Sequence, residues 1–146
     1  MKVVINSCYG GFGLSPKGLK RYLELLGQPA FFYKQSKYDF RDLYTEYKRE
    51  DDLDAIKDEL FIYCTTYDQG KTLSNFPKDT VHSRDIERHD PNLVQVVEEL
   101  GSEASSKCAN LTVVEIENGR YFKIDEYDGY ESIQYRDVDD EWILAY

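Results

Sequence analysis

The chain has 146 residues, 18 Lys and Arg against 28 Asp and Glu for a formal charge of −10, and 41% apolar residues. That length suits one domain, 1–146, with a core large enough to form without metal or disulfide help. No apolar run approaches the roughly 18–20 residues of a membrane span, and the acidity excludes an extended nucleic-acid surface, which needs Lys and Arg in excess to neutralise phosphate.

In chain order, Val3-Val4-Ile5 is a β-branched run of the kind that starts a buried strand. A glycine-rich loop, Ser7 to Gly13, follows it. Ser15 then sits at a helix N-cap position with Pro16 at the first helical position. Leu19, Tyr22, Leu23 and Leu26 recur at i, i+3, i+4 and i+7 as one apolar stripe. Gly27 stops that helix and Pro29 prevents its continuation. Ala30 to Tyr33 reads as a second strand. Residues 36–60 mix two periods at Tyr38, Phe40, Leu43, Tyr44 and Tyr47, while Leu53, Ile56 and Leu60 fit a surface helix. Phe61 to Tyr67 has the β-branched and aromatic content of a strand. Asp68-Gln69-Gly70 turns it, and a polar loop runs to about Thr80.

Asp90-Pro91 repeats the cap-plus-proline start, and Leu93, Val94, Val97 and Leu100 give an apolar face ended by Gly101. Ser102 to Asn110 is a small, polar loop. Leu111–Glu117 and Arg120–Tyr127 flank Asn118-Gly119, a hairpin signal that would place Leu111 and Val113 on one face with Phe122 and Ile124. Asp128-Gly129 is a further turn, and the tail Trp142 to Tyr146 is apolar enough to dock. Alternation of strands and helices early, with a hairpin late, predicts an α+β domain: a mixed sheet with a C-terminal hairpin, packed by two or three helices.

Cys8, Cys64 and Cys108 have no metal-like spacing, so no metal or other cofactor is expected. Free thiols and the lack of a secretory pattern at the N-terminus point to a cytoplasmic protein. Charge is unevenly spread: residues 1–48 hold 8 basic and 4 acidic groups, residues 49–146 hold 10 and 24. A mildly basic end of that kind can hold a small anion while the rest repels long polyanions.

The glycine loop is the candidate site. A strand feeding such a loop and then a helix start brings backbone N–H groups close to an anion. Here Cys8, Tyr9, Gly10, Gly11, Phe12, Gly13 and Ser15 are the candidate ligand-binding residues, with Tyr9 and Phe12 available to stack on a base or sugar. The loop matches neither the dinucleotide fingerprint nor the P-loop: Pro16 stands where the third glycine would fall, and Leu19-Lys20 replaces Lys-Ser/Thr. Glycines that only let a helix pack on a sheet are the competing explanation. Arg84 and Arg88, four residues apart, are the second candidate half, since paired guanidiniums grip phosphate through bidentate forks. Pairing with nearby Asp85, Glu87 or Asp90 competes with that role. A nucleophilic Cys8 would need His82 or His89 as its base. No catalytic residue is singled out.

The segments Cys8 to Ser15, Asp85 to Gly101 and Thr112 to Ile116 resemble a family of small tailed-phage proteins. The likeness leaves out residues 30–80 and the tail after Glu131, and brings no established activity with it. It implies a phage accessory protein acting in the cytoplasm of the bacterial host. Such proteins often serve counter-defence, sequestering a nucleotide signal or blocking a defence protein.

The leading expectation is therefore a protein that sequesters a nucleotide-like anion through the glycine loop and the Arg84/Arg88 pair. One alternative is an acidic inhibitor of a basic, nucleic-acid-handling host protein, using carboxylates such as Asp137, Asp139 and Asp140. Another is a small nucleotide-directed transferase or hydrolase using Cys8 or a tail carboxylate. Neither direct nucleic-acid contact nor membrane association is expected, and self-association to a homo-oligomer stays open.

Overall fold

In the computed structural model, which describes residues 1–38, 45–59, 61–136 and 143–145, the opening β-branched run forms β1 (Lys2–Asn6) and the first capped segment forms α1 (Pro16–Leu25). The chain continues as β2 (Phe31–Tyr38), β3 (Thr45–Arg49), β4 (Ile62–Thr65), β5 (Thr72–Leu73), α2 (Pro91–Leu100), β6 (Leu111–Glu115), β7 (Tyr121–Tyr127), β8 (Tyr130–Arg136) and β9 (Ile143–Leu144). The class is α+β.

Both helices start as their caps dictate. The Ser15 hydroxyl accepts from the Gly18 amide and Asp90 accepts from that of Asn92, with proline in the first turn each time. Gly27, at φ 75°, closes α1. Of the predicted stripe on α1, Leu19, Tyr22 and Leu23 are buried, while Leu26 lies past the last turn and is exposed. On α2, Val96 is buried beside Leu93, Val94 and Val97.

β1 and β6 form an antiparallel ribbon at the centre, from Lys2↔Glu115 to Asn6↔Leu111. Alternation sends its residues two ways. Val4 and Leu111 join the helices, Phe32, Ile56 and Cys64 in one core. Val3, Ile5 and Ile116 join Phe122 and Ala145 in a second. Burying each such side chain contributes roughly 1.5–3 kcal/mol, so β1 is apolar on both faces because both are covered.

Asn118-Gly119 is not the hairpin the sequence predicted. The β7 strand pairs instead with β8, from Tyr121↔Arg136 to Tyr127↔Tyr130, and with β9. A two-residue type I′ turn needs positive φ at both central residues. Asp128 (50°) and Gly129 (86°) meet that requirement; at 118–119 only Gly119 does. The Asn118-Gly119 turn is engaged by the chain's end, with the Gly119 amide donating to the Ala145 carbonyl. The expected face-sharing is corrected too: Phe122 and Ile124 pack with Val114 and Ile116, opposite Leu111 and Val113.

The remaining strands form an antiparallel sheet in the order β4-β2-β3-β5. Every ladder between described residues is antiparallel, where mixed pairing was expected. The ambiguous stretch after residue 36 resolves as the end of β2 and β3, and the predicted surface helix at 53–60 is a 3-10 turn, Leu53–Ala55, with Ile56 fully buried. The apolar tail docks as β9, although Trp142 and Tyr146 lie outside the described residues, as do Phe40, Leu43, Tyr44, Leu60, Asp137, Asp139 and Asp140.

Candidate functional site

The predicted loop joins β1 to α1, and its glycines are used for close backbone packing. A methyl on Gly10 would stand 2.7 Å from the Cys108 carbonyl oxygen, and one on Gly13 2.7 Å from Ser106 Oγ. Gly129, in the β7–β8 turn, presses on the backbone of Gly10 and Gly11 from the other side. The Asn6 amide Nδ2 donates to the carbonyls of Cys8 and Gly129, and Asn6 Oδ1 accepts from the Asn110 amide, each at 2.8 Å. One buried asparagine thus ties three loops together.

Ser15 is fully engaged: its hydroxyl donates to the Glu103 carbonyl at 2.6 Å and its amide to that of Ala104. The Leu14 amide donates to Ser83 Oγ at 3.2 Å, which fixes the 3-10 turn Ser83–Asp85 beside the loop. The N–H groups of Phe12 and Gly13 have no acceptor among the described residues.

The two arginines part company. Arg88 lies with its guanidinium carbon 3.5 Å over the Phe12 ring and Nη1 2.5 Å from Glu131 Oε1. That carboxylate is almost fully buried and also accepts from the Asn6 amide at 2.8 Å. Arg88 is therefore a structural tie, and Phe12 carries it. Arg84 has no hydrogen-bond or ion-pair partner among the described residues. It stands on the rim of a cleft of about 400 Å³ whose wall includes Gly10 and Phe12, a size typical of small-molecule sites.

The cleft floor is apolar, made of Leu14, Leu19, Phe32, Ile62, Cys64 and Val81. On its rim Lys57 and Lys107 join Arg84, against one carboxylate, Glu59. Neither lysine has a partner among the described residues. Nothing in the sequence pattern marks these lysines: each is a single cation in an otherwise ordinary loop. The basic residues of the N-terminal stretch, by contrast, are largely paired. Lys2 meets Glu98, Lys17 meets Glu103 and Arg21 meets Glu99, at 2.9–3.2 Å.

Of the sequence-predicted site residues, Gly10, Phe12 and Arg84 line the cleft together. Cys8, Tyr9, Gly11, Gly13, Ser15 and Arg88 lie off its wall. Tyr9 stacks instead on Tyr130, with centroids 5.3 Å apart. Neither histidine partners Cys8: its Sγ lies 3.5 Å from the Tyr9 carbonyl, His82 bonds Thr80 and His89 pairs with Glu87. Among the described residues no cluster of His, Cys, Asp and Glu could hold a metal ion, and no helix is long and apolar enough to cross a membrane.

Burial pushes the Cys64 thiol up to about 12, which keeps it protonated and unreactive. Burial, then the hydrogen bond to Asp90, pushes the Tyr22 phenol up to about 12 as well. Released into water by unfolding, the thiol ionises near 9.0 and the phenol near 10.0. Their stabilisation is whole below pH 9 and is lost as the pH climbs toward 12. Urea midpoints should therefore fall above pH 9, and Cys64→Val should flatten the decline between pH 9 and 10. An unchanged slope would contradict the assignment. Comparison of the chain with protein families, characterised proteins and solved structures finds no match.

Proposed function

We propose that this protein captures a small nucleotide-like anion in the cleft between the glycine loop and the Ser83–Asp85 turn. The observation that carries the reading is the meeting of three cations without a partner among the described residues, Lys57, Arg84 and Lys107, over an apolar floor in a chain of charge −10. Cations on a low-dielectric wall focus the local field on an incoming anion. The Arg84 guanidinium would take two phosphate oxygens as a fork, and the two lysines would act as point charges. The Phe12 N–H, which has no acceptor among the described residues, adds a neutral donor, and the floor of Leu19, Phe32 and Ile62 receives an apolar ring. The overall negative charge repels a long polyanion. Cys64, the thiol in the floor, is held protonated by burial, and an exposed free thiol, Cys108, also lines the cleft.

Capture is the role we propose. With the resemblance to phage proteins, its setting would be the cytoplasm of an infected bacterium, and its purpose removal of a nucleotide signal. Calorimetric titration with ADP as the probe tests the site. Arg84→Ala removes a charge-assisted pair worth about 1.5–3 kcal/mol, so affinity should fall roughly tenfold to a hundredfold. The urea midpoint should hold, because Arg84 is exposed and has no hydrogen-bond or ion-pair partner among the described residues. Equal affinity in the two proteins would sink the assignment.

A further inference from the structure

The tip of the β7–β8 hairpin carries a second surface, separate from the cleft. Tyr127 is 78% exposed, Tyr9 62% and Tyr130 40%. Tyr127 and Tyr130 are direct cross-strand partners and so share a face, and Tyr9 leans on Tyr130 with the rings tilted by 43°. Three large rings thus lie side by side in water. Contiguous apolar surface of this kind marks an interaction site more often than scattered single residues do.

The tip itself carries carboxylates and no cation. Asp125, Glu126 and Asp128 lie at the tip, and there is no Lys or Arg from Ile124 to Tyr135. Asp125 has Lys123 at 3.9 Å, while Glu126 and Asp128 have no partner among the described residues. The fourth carboxylate of the hairpin, Glu131, is neutralised inside by Arg88.

The tip is also held rigid. Asn6 Nδ2 donates to the Gly129 carbonyl, and Gly129 is wedged against Gly10 and Gly11. A surface ordered before it meets a partner loses little further freedom on binding. Tyrosine suits such a place, since it presents a large, stiff ring with few rotatable bonds.

We infer that this tip docks a basic, extended segment of a partner protein, whose Arg and Lys side chains lie on the Tyr9, Tyr127 and Tyr130 rings while Asp125 and Asp128 meet their charge. Cation–π contact and carboxylate pairing then act on the same groups. The carboxylates repel nucleic acid and anionic lipid surfaces, which leaves a cationic protein segment as the complementary occupant.

The test uses the full chain and a labelled 12-residue peptide alternating Arg with Gly and Ser, followed by fluorescence anisotropy. The peptide should bind, and Tyr9→Ser with Tyr127→Ser should weaken it by about tenfold or more. Tyr127→Phe, which keeps the ring, should retain binding. Asp125→Asn with Asp128→Asn should weaken it comparably, whereas Glu115→Gln with Glu117→Gln, exposed carboxylates elsewhere, should not. No peptide binding by the unaltered protein would overturn the inference. So would binding that ignores the tyrosine changes, or that falls equally with the control carboxylates.

Discussion

Replacing Glu131 by alanine is expected to lower the stability of the folded chain by about 3–5 kcal/mol, the usual cost of breaking a buried ion pair from one side. Glu131 Oε1 holds Arg88 and the Asn6 amide at once. Without it the guanidinium, mostly covered and lying on Phe12, keeps its charge with no other ion-pair partner among the described residues. The buried Asn6 N–H loses its acceptor as well. A chain of this size has a total stability of about 5–15 kcal/mol, so this single change approaches the limit of folding. Glu131→Gln keeps an acceptor for Asn6 and removes only the charge, so its loss should be clearly smaller. Urea denaturation of the two variants checks this; equal losses would mean that the hydrogen bond contributes nothing.

A comparably large effect is expected at Gly129. A methyl there would overlap the Gly11 nitrogen and stand 2.6 Å from that of Gly10, both of them backbone atoms unable to swing away. Its φ of 86° adds the cost of a left-handed conformation, about 1–2 kcal/mol for a residue with a Cβ. With overpacking at about 1–3 kcal/mol, Gly129→Ala should lose roughly 2–5 kcal/mol. Gly119 provides the matched control: its φ is also 86°, and a methyl added there would meet nothing within 4 Å. Gly119→Ala should therefore show the conformational cost alone. The difference between their thermal or urea midpoints reads the hairpin-to-loop contact directly, and equal midpoints would deny that contact.

These two positions also show what could be read from the sequence and what could not. Both helices were legible because their signals are local: Ser15-Pro16 and Asp90-Pro91 start them, and Gly27 and Gly101 stop them within one turn. The hairpin was misplaced because Asn118-Gly119 and Asp128-Gly129 look alike locally. The choice between them rests on what else competes for the strands, with β1 taking β6 and β9 taking the near edge of β7. No local pattern carries that information.

The site divides the same way. The glycine loop was visible as a loop that permits close approach, but what approaches Gly10, Gly11 and Gly13 is largely this chain's own backbone and the Ser106 and Cys108 side chains. Arg88 and Arg84 were indistinguishable in sequence; Glu131, 43 residues away, separates them. The predicted competition from Asp85, Glu87 or Asp90 is not what engages Arg88. Lys57 and Lys107 enter the cleft from loops far apart in the chain, so their convergence with Arg84 could be seen only in three dimensions.

Capture of an anion in the cleft is tested most directly by an amide-resolved NMR titration of the intact protein with ADP. The expected result is saturable shifts concentrated at Phe12, Lys57, Arg84 and Lys107, with none at Arg88 beyond those transmitted through Phe12. Absence of saturable shifts at these positions, or shifts spread evenly over exposed lysines such as Lys20, Lys71 and Lys78, would contradict a binding site in the cleft.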